Sequence, residues 1–141
     1  VDNAVVIYES LTGNTRRAAE AIGAELNAAG VTTAVCPITE IDYAALAAAD
    51  IVIVGSWTDG LFVVGQKPAR SLRMVKLLPV IDRKKAAVFC TYALHSGKTL
   101  EKLQALVERK GGDVIGGMAI KRNAIGEGAE TFVDRLLAVT V

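Results

Sequence analysis

The residues best placed to do chemistry are Ser10-Leu11-Thr12-Gly13-Asn14-Thr15, between a short apolar run and the start of an amphipathic stretch. This segment carries three hydroxyls and no formal charge. Where a strand turns into a helix, the first helical amides have no partner and the helix dipole places partial positive charge there, so an anion is stabilised without a cationic side chain. The hydroxyls of Ser10, Thr12 and Thr15 add neutral donors, and Gly13 lets the backbone close around the anion. No Gly-x-x-x-x-Gly-Lys-Ser/Thr or Gly-x-Gly-x-x-Gly pattern follows the apolar run, which argues against a triphosphate or dinucleotide loop. A terminal phosphate monoester suits the segment best. The plain alternative is that Thr12 only caps the helix. Arg16 and Arg17 either strengthen the anion site or lie in solvent.

The elements that must position this loop follow from the change in apolar period along the chain. Ala4 to Tyr8 reads as a strand buried on both faces, and Asn14 to Ala29 as a helix with Ala18, Ile22, Leu26 and Ala29 on one face, stopped by Gly30. Val31 to Cys36 is a second strand ended by Pro37, and Ile41 to Ala49 a short Ala-rich helix. Ile51 to Val54 is the clearest buried strand. A helix from Pro68 to about Leu78 follows a Gly-punctuated loop. Ala86 to Tyr92, Gly97 to Lys110, Val114 to Ile120 and Glu127 to Val139 then alternate as strand, helix, strand, helix. Such alternation predicts a single doubly wound α/β domain over residues 1–141, a parallel sheet with helices on both faces. In these sheets ligands bind beyond the carboxyl ends of the strands, which singles out the residues after Tyr8, Val54 and Tyr92.

The phosphate-type loop resembles that of the flavodoxins, whose FMN loop reads Ser/Thr-x-Thr-Gly-x-Thr directly after the first strand. The resemblance runs over essentially the whole chain, at the length of the short-chain members. It implies a three-layer sandwich with strand order 2-1-3-4-5 and FMN at the switch point, both known properties of that family rather than readings of these residues. It further implies an electron carrier working between a reductase and an acceptor, with FMN held by Ser10, Leu11, Thr12, Gly13, Asn14 and Thr15. Two more loops would hold the ring. In Ser56-Trp57-Thr58-Asp59-Gly60, the lone tryptophan either stacks on the isoalloxazine or tucks under its own loop. Thr58 takes the position where the family commonly has a glycine whose peptide flips on reduction. A β-branched residue there implies a costlier flip and a less stabilised one-electron-reduced form. In Thr91-Tyr92-Ala93-Leu94-His95-Ser96-Gly97-Lys98, Thr91, Tyr92 and Gly97 match the family, Leu94 replaces the outer stacking aromatic and Ser96 replaces an acid. Tyr92 either reaches the flavin or ends its strand in the core. His95, the sole histidine, is a surface residue or a cation at the flavin rim that raises its potential.

Composition sets the outer bounds. Hydrophobic residues make up 52% and charged residues 22% of 141, too apolar and too balanced for disorder. A formal charge of +1 argues against a nucleic-acid partner. Cys36 and Cys90 are too few for a disulfide framework or a cysteine-rich zinc site. No basic region precedes the first apolar stretch and no apolar run approaches a bilayer span, so a cytoplasmic protein without membrane contact is expected. The neutral total hides an asymmetry. Residues 1–60 carry eight acids and two bases, whereas residues 67–85 carry seven bases (Lys67, Arg70, Arg73, Lys76, Arg83, Lys84, Lys85) and one acid. Lys67 to Lys76 form either a solvated helix face or a docking stripe for an acidic partner. Flavodoxins are typically acidic and meet basic partners, so the resemblance does not extend to that feature.

The leading expectation is therefore an FMN-dependent electron carrier with no catalytic side chain. The alternatives are an NAD(P)H-dependent flavin or quinone reductase, for which Leu94 opens room over the ring, and an interaction module on the same topology that has lost FMN. A phospho-receiver fails because Gly55-Ser56 stand where the phosphoacceptor aspartate belongs, and a low-molecular-weight tyrosine phosphatase fails because the loop has no Cys-x5-Arg.

Overall fold

A computed structural model of the chain describes residues 1–58, 74 and 76–140. Five strands, β1 (Asn3–Tyr8), β2 (Thr32–Pro37), β3 (Ile51–Trp57), β4 (Lys85–Tyr92) and β5 (Asp113–Lys121), form one sheet. Among the described residues four helices alternate with them, α1 (Asn14–Ala28), α2 (Tyr43–Ala48), α3 (Thr99–Arg109) and α4 (Ile125–Thr140). The sheet order is β2-β1-β3-β4-β5 and every pairing is parallel, as the family resemblance implied. Because strand side chains alternate, each strand feeds two cores. Val6, Ile53, Phe89 and Ile120 meet Ala18, Ile22 and Leu26 of α1 and Phe132, Val133 and Leu136 of α4 on one face. Val5, Ile7, Val52, Val54 and Val88 meet Leu46 of α2 and Leu103, Leu106 and Val107 of α3 on the other, together with Met74, Leu78 and Ile81. This is a three-layer, doubly wound α/β sandwich.

Two elements differ from the sequence expectation in ways that bear on the site. The third strand does not stop at Val54 but continues through Trp57, so Gly55, Ser56 and Trp57 are strand residues paired with Phe89, Cys90 and Thr91. A central strand with partners on both sides continues through residues that would end an isolated one. Pro37 is the last residue of β2 rather than its terminator; β2 lies at the sheet edge, where a missing donor is tolerated. Most of the helix expected from Pro68 to Leu78 lies outside the described residues, as do Lys67, Arg70 and Arg73 of the basic stripe. Arg83, Lys84 and Lys85 lie at the amino end of β4, away from the loops singled out by the sequence. Lys84 donates from Nζ to the carbonyls of Leu46, Ala47 and Ala49 at 2.6, 2.8 and 2.9 Å and closes the end of α2.

At this same end Asp50 Oδ2 accepts from the backbone amides of Asp2 and Asn3 at 2.9 and 3.0 Å. Those bonds, that of Asn3 foremost, hold the carboxyl below its ordinary pKa. A group whose pKa is depressed by folding stabilises the protein above its unfolded pKa of about 4 and loses that contribution as pH falls through the folded value. Asp50→Asn is therefore expected to melt below the wild type at pH 7, with the gap closing towards pH 3. Parallel melting curves across that range would contradict the pairing.

Candidate functional site

The loop after β1 enters α1 through Gly13, the N-cap, at φ +93° and ψ −8°. This left-handed backbone strains any residue with a Cβ by about 1–2 kcal/mol, which is why glycine stands here. No side chain caps α1 and no acid occupies its first turn, so the alternative that Thr12 only caps the helix is not met. The hydroxyls are fixed by other bonds. Ser10 Oγ accepts from the amide of Gly13 at 3.1 Å, and Thr12 Oγ1 accepts from Asn14 Nδ2 at 3.4 Å. Asn14 Oδ1 in turn accepts from the guanidinium of Arg17. Each hydroxyl oxygen is thus used as an acceptor while its own proton remains available to donate. Arg16 is engaged elsewhere, in an exposed pair with Glu20 at 2.9 Å. A Cβ built on Gly13 meets nothing within 4 Å, so the space over the turn is open. Leu11 is 53% exposed at the tip of the loop.

Thr15 points inward. Its hydroxyl lies 2.9 Å from that of Thr91, both residues are buried, and either can be the donor. This bond ties the first loop to the end of β4. Thr58 is tied to the same place, its amide donating to the Thr91 carbonyl at 2.9 Å. The three loops therefore converge on Thr91.

Between them lies a solvent-open cleft. Thr12 and Asn14 line it from the first loop, and Trp57 and Thr58 from the end of β3. Thr91, Tyr92, Ala93, Leu94 and His95 line it from the loop after β4. Tyr92 is thus a half-buried wall residue rather than a core one. Leu94 is 77% exposed, and His95 is exposed at the mouth. Ser56 is fully buried in β3 beneath the cleft and does not line it. Gly97, at φ +53°, forms the turn before α3. Asp59 and Gly60 lie outside the described residues.

Sequence reasoning missed one lining residue, Arg122. It follows β5 directly, and the β4–β5 register pairs Tyr92 with Lys121. The Arg122 amide donates to the Tyr92 carbonyl at 2.9 Å, which holds the two loops side by side. The available signal was the strand order, since β5 beside β4 brings a fourth loop to the cleft.

Trp57 Nε1 is a buried polar atom without a hydrogen-bond partner. Such atoms carry an unmet cost that a ligand, or an ordered water, relieves. The buried Cys90 thiol is pushed up to about 11 by burial, against a smaller opposing effect of the Thr58 hydroxyl, and burial raises that of Cys36 as well. Both sulfurs are protonated and shielded at neutral pH, which leaves them unsuited to thiolate chemistry. Among the described residues no cluster of His, Cys, Asp or Glu is arranged to hold a metal ion, and no helix is long and apolar enough to cross a membrane.

A family model described as "Flavodoxin domain" matches residues 5–128. No curated protein sequence matches the chain significantly. Among solved structures, oxidised flavodoxin 1 of Bacillus cereus superposes with a TM-score of 0.75 at 22% identity, covering 99% of this chain and 100% of that one. Oxidised flavodoxin 2 of the same organism gives 0.75 at 23%, covering 97% and 99%. The two-electron-reduced flavodoxin of Megasphaera elsdenii gives 0.64 at 22%, covering 91% and 98%. At these identities the structural matches speak for the fold.

Proposed function

The chain belongs to the flavodoxin family, and from that footing we propose that it binds FMN and carries electrons between a reductase and an acceptor protein. One observation carries the reading: α1 begins at an uncapped glycine, with the Ser10 and Thr12 hydroxyls oriented by bonds to their oxygens and their protons left to donate. That is a seat for a phosphate monoester made of neutral donors and helix amides. The residues present fit the cofactor. Ser10, Thr12 and the first amides of α1 hold its phosphate, with Asn14 and Arg17 steadying Thr12. Trp57, Tyr92 and Leu94 wall its ring. The unpartnered Trp57 Nε1 is a polar group that its heteroatoms can satisfy. Bound FMN supplies the redox chemistry, and the chain positions it, excludes water from one side and sets the local charge.

Solved flavodoxins of this fold are described in oxidised and in two-electron-reduced states, which accords with a redox role. The reading is tested by adding FMN to the purified protein and recording the visible spectrum through stepwise reduction. Uptake of one FMN per chain, with reduction by an added reductase and none by NADPH alone, is expected. Absence of uptake overturns the reading, and direct bleaching by NADPH replaces the carrier with an enzyme.

A further inference from the structure

The mouth of the cleft has a charge of its own. The loop at residues 91–98 holds His95 and Lys98, and the segment at 121–124 holds Lys121 and Arg122; neither contains Asp or Glu. All four of these side chains are exposed. Arg122 and His95 line the cleft, whereas Lys98 and Lys121 stand outside its wall. The pairing of Tyr92 with Lys121, and the Arg122 amide bond to the Tyr92 carbonyl, put both segments on one side of the opening. Leu94, the most exposed large apolar side chain among the described residues, belongs to the same loop, and Leu11 is exposed at the tip of the loop across the cleft. The next carboxylates along the chain, Glu101 and Glu127, are in the first turns of α3 and α4, where the helix dipole favours them.

Cations converging on one point make a seat for a small anion. Here Lys98 and Lys121 stand outside the wall, in the same two segments as the exposed Leu94 and Arg122, so cations and an apolar side chain share one side of the opening, the layout of a protein contact. We propose that this face docks an acidic electron-transfer protein, whose carboxylates meet Lys98, Lys121 and Arg122 while Leu94 is covered. The proposal rests on the carrier function proposed above and adds the sign of the partner. Complementary charge of this kind speeds encounter and fixes orientation, and salt weakens it.

Association is measured by calorimetry with two probes, an acidic plant-type [2Fe–2S] ferredoxin and basic cytochrome c, on the chain with and without added FMN. Ferredoxin is expected to bind at low ionic strength and about tenfold more weakly at physiological salt. Lys98→Glu combined with Lys121→Glu is expected to weaken it by a further tenfold or so, and the Lys98→Ala/Lys121→Ala pair by less. Cytochrome c is expected to bind only the charge-reversed chain. Binding of cytochrome c to the wild type, ferredoxin binding indifferent to both double variants, or capture of phosphatidylserine vesicles in place of ferredoxin would each overturn the proposal. FMN uptake is read separately in the same samples, so a chain that takes up FMN but ignores ferredoxin sinks the docking proposal alone.

Discussion

Removing both loop hydroxyls, with Ser10→Ala and Thr12→Ala together, is expected to weaken FMN binding by about 10²- to 10⁴-fold while leaving riboflavin binding nearly unchanged. Hydrogen bonds from neutral donors to a charged group contribute about 1.5–3 kcal/mol each, so two of them amount to about 3–6 kcal/mol. The loss is confined to the phosphate because Thr12 lines the α1 end of the cleft and Ser10 Oγ is bonded to the Gly13 amide of the same turn, whereas Trp57 and Tyr92 wall the region left to the ring. The fold itself is expected to hold, since Ser10 and Thr12 are not in either core and the strained glycine that shapes the turn is retained. Fluorescence titration of both flavins against wild type and variant checks this. Equal losses for FMN and riboflavin would mean that the hydroxyls support the ring or the fold rather than the phosphate.

A second large effect concerns the strand that carries the cleft wall. Gly55 faces Phe89 across β3 and β4, and a Cβ placed on it would lie 2.0 Å from Phe89 Cζ. Phe89 is fully buried and meets Phe132 edge-on, with ring centroids 6.1 Å apart and planes at 71°. The ring cannot give way without losing that contact or parting the strands. Gly55→Ala is therefore expected to cost about 2–3 kcal/mol of stability, the upper range for overpacking a core, and to lower Tm by roughly 5–10 °C. Adding Phe89→Leu makes room for the new methyl, so the double variant is expected to be no less stable than Phe89→Leu alone. That non-additivity, about 1 kcal/mol or more by urea unfolding, is the signature of direct contact. A Gly55→Ala protein within about 0.5 kcal/mol of wild type would place the Phe89 ring elsewhere.

The pair Gly55–Phe89 also shows why part of the structure was hidden in the sequence. Read locally, Gly55-Ser56 looks like the start of a loop; in the sheet the glycine is there because a phenylalanine from the next strand fills its side-chain space. That requirement comes from a residue 34 positions along and leaves no trace near Gly55. The alternating strands and helices were legible because burial on both faces of a parallel sheet forces continuous apolar runs such as Ile51 to Val54. The loop after β1 was legible for a related reason: its hydroxyls lie close together in sequence at a strand-to-helix junction. Arg122 was not, because it reaches the cleft only through the register of β5 against β4. Lys84 is one of the seven bases of residues 67–85, yet its ammonium is bonded to the carbonyls at the end of α2. Charge read along a chain does not say which end of a sheet it faces.

Whether a phosphate sits at the start of α1 is read directly by phosphorus NMR of the FMN-loaded protein. A free phosphate monoester takes up its second proton near pH ~6. Held by helix amides and hydroxyl protons that favour the dianion, its pKa must fall. The bound phosphorus signal is expected to stay at the dianion position from about pH 8 down to about pH 5. A signal that moves through a midpoint near pH ~6, as in free solution, would mean the phosphate is in water and the seat at Gly13 is empty.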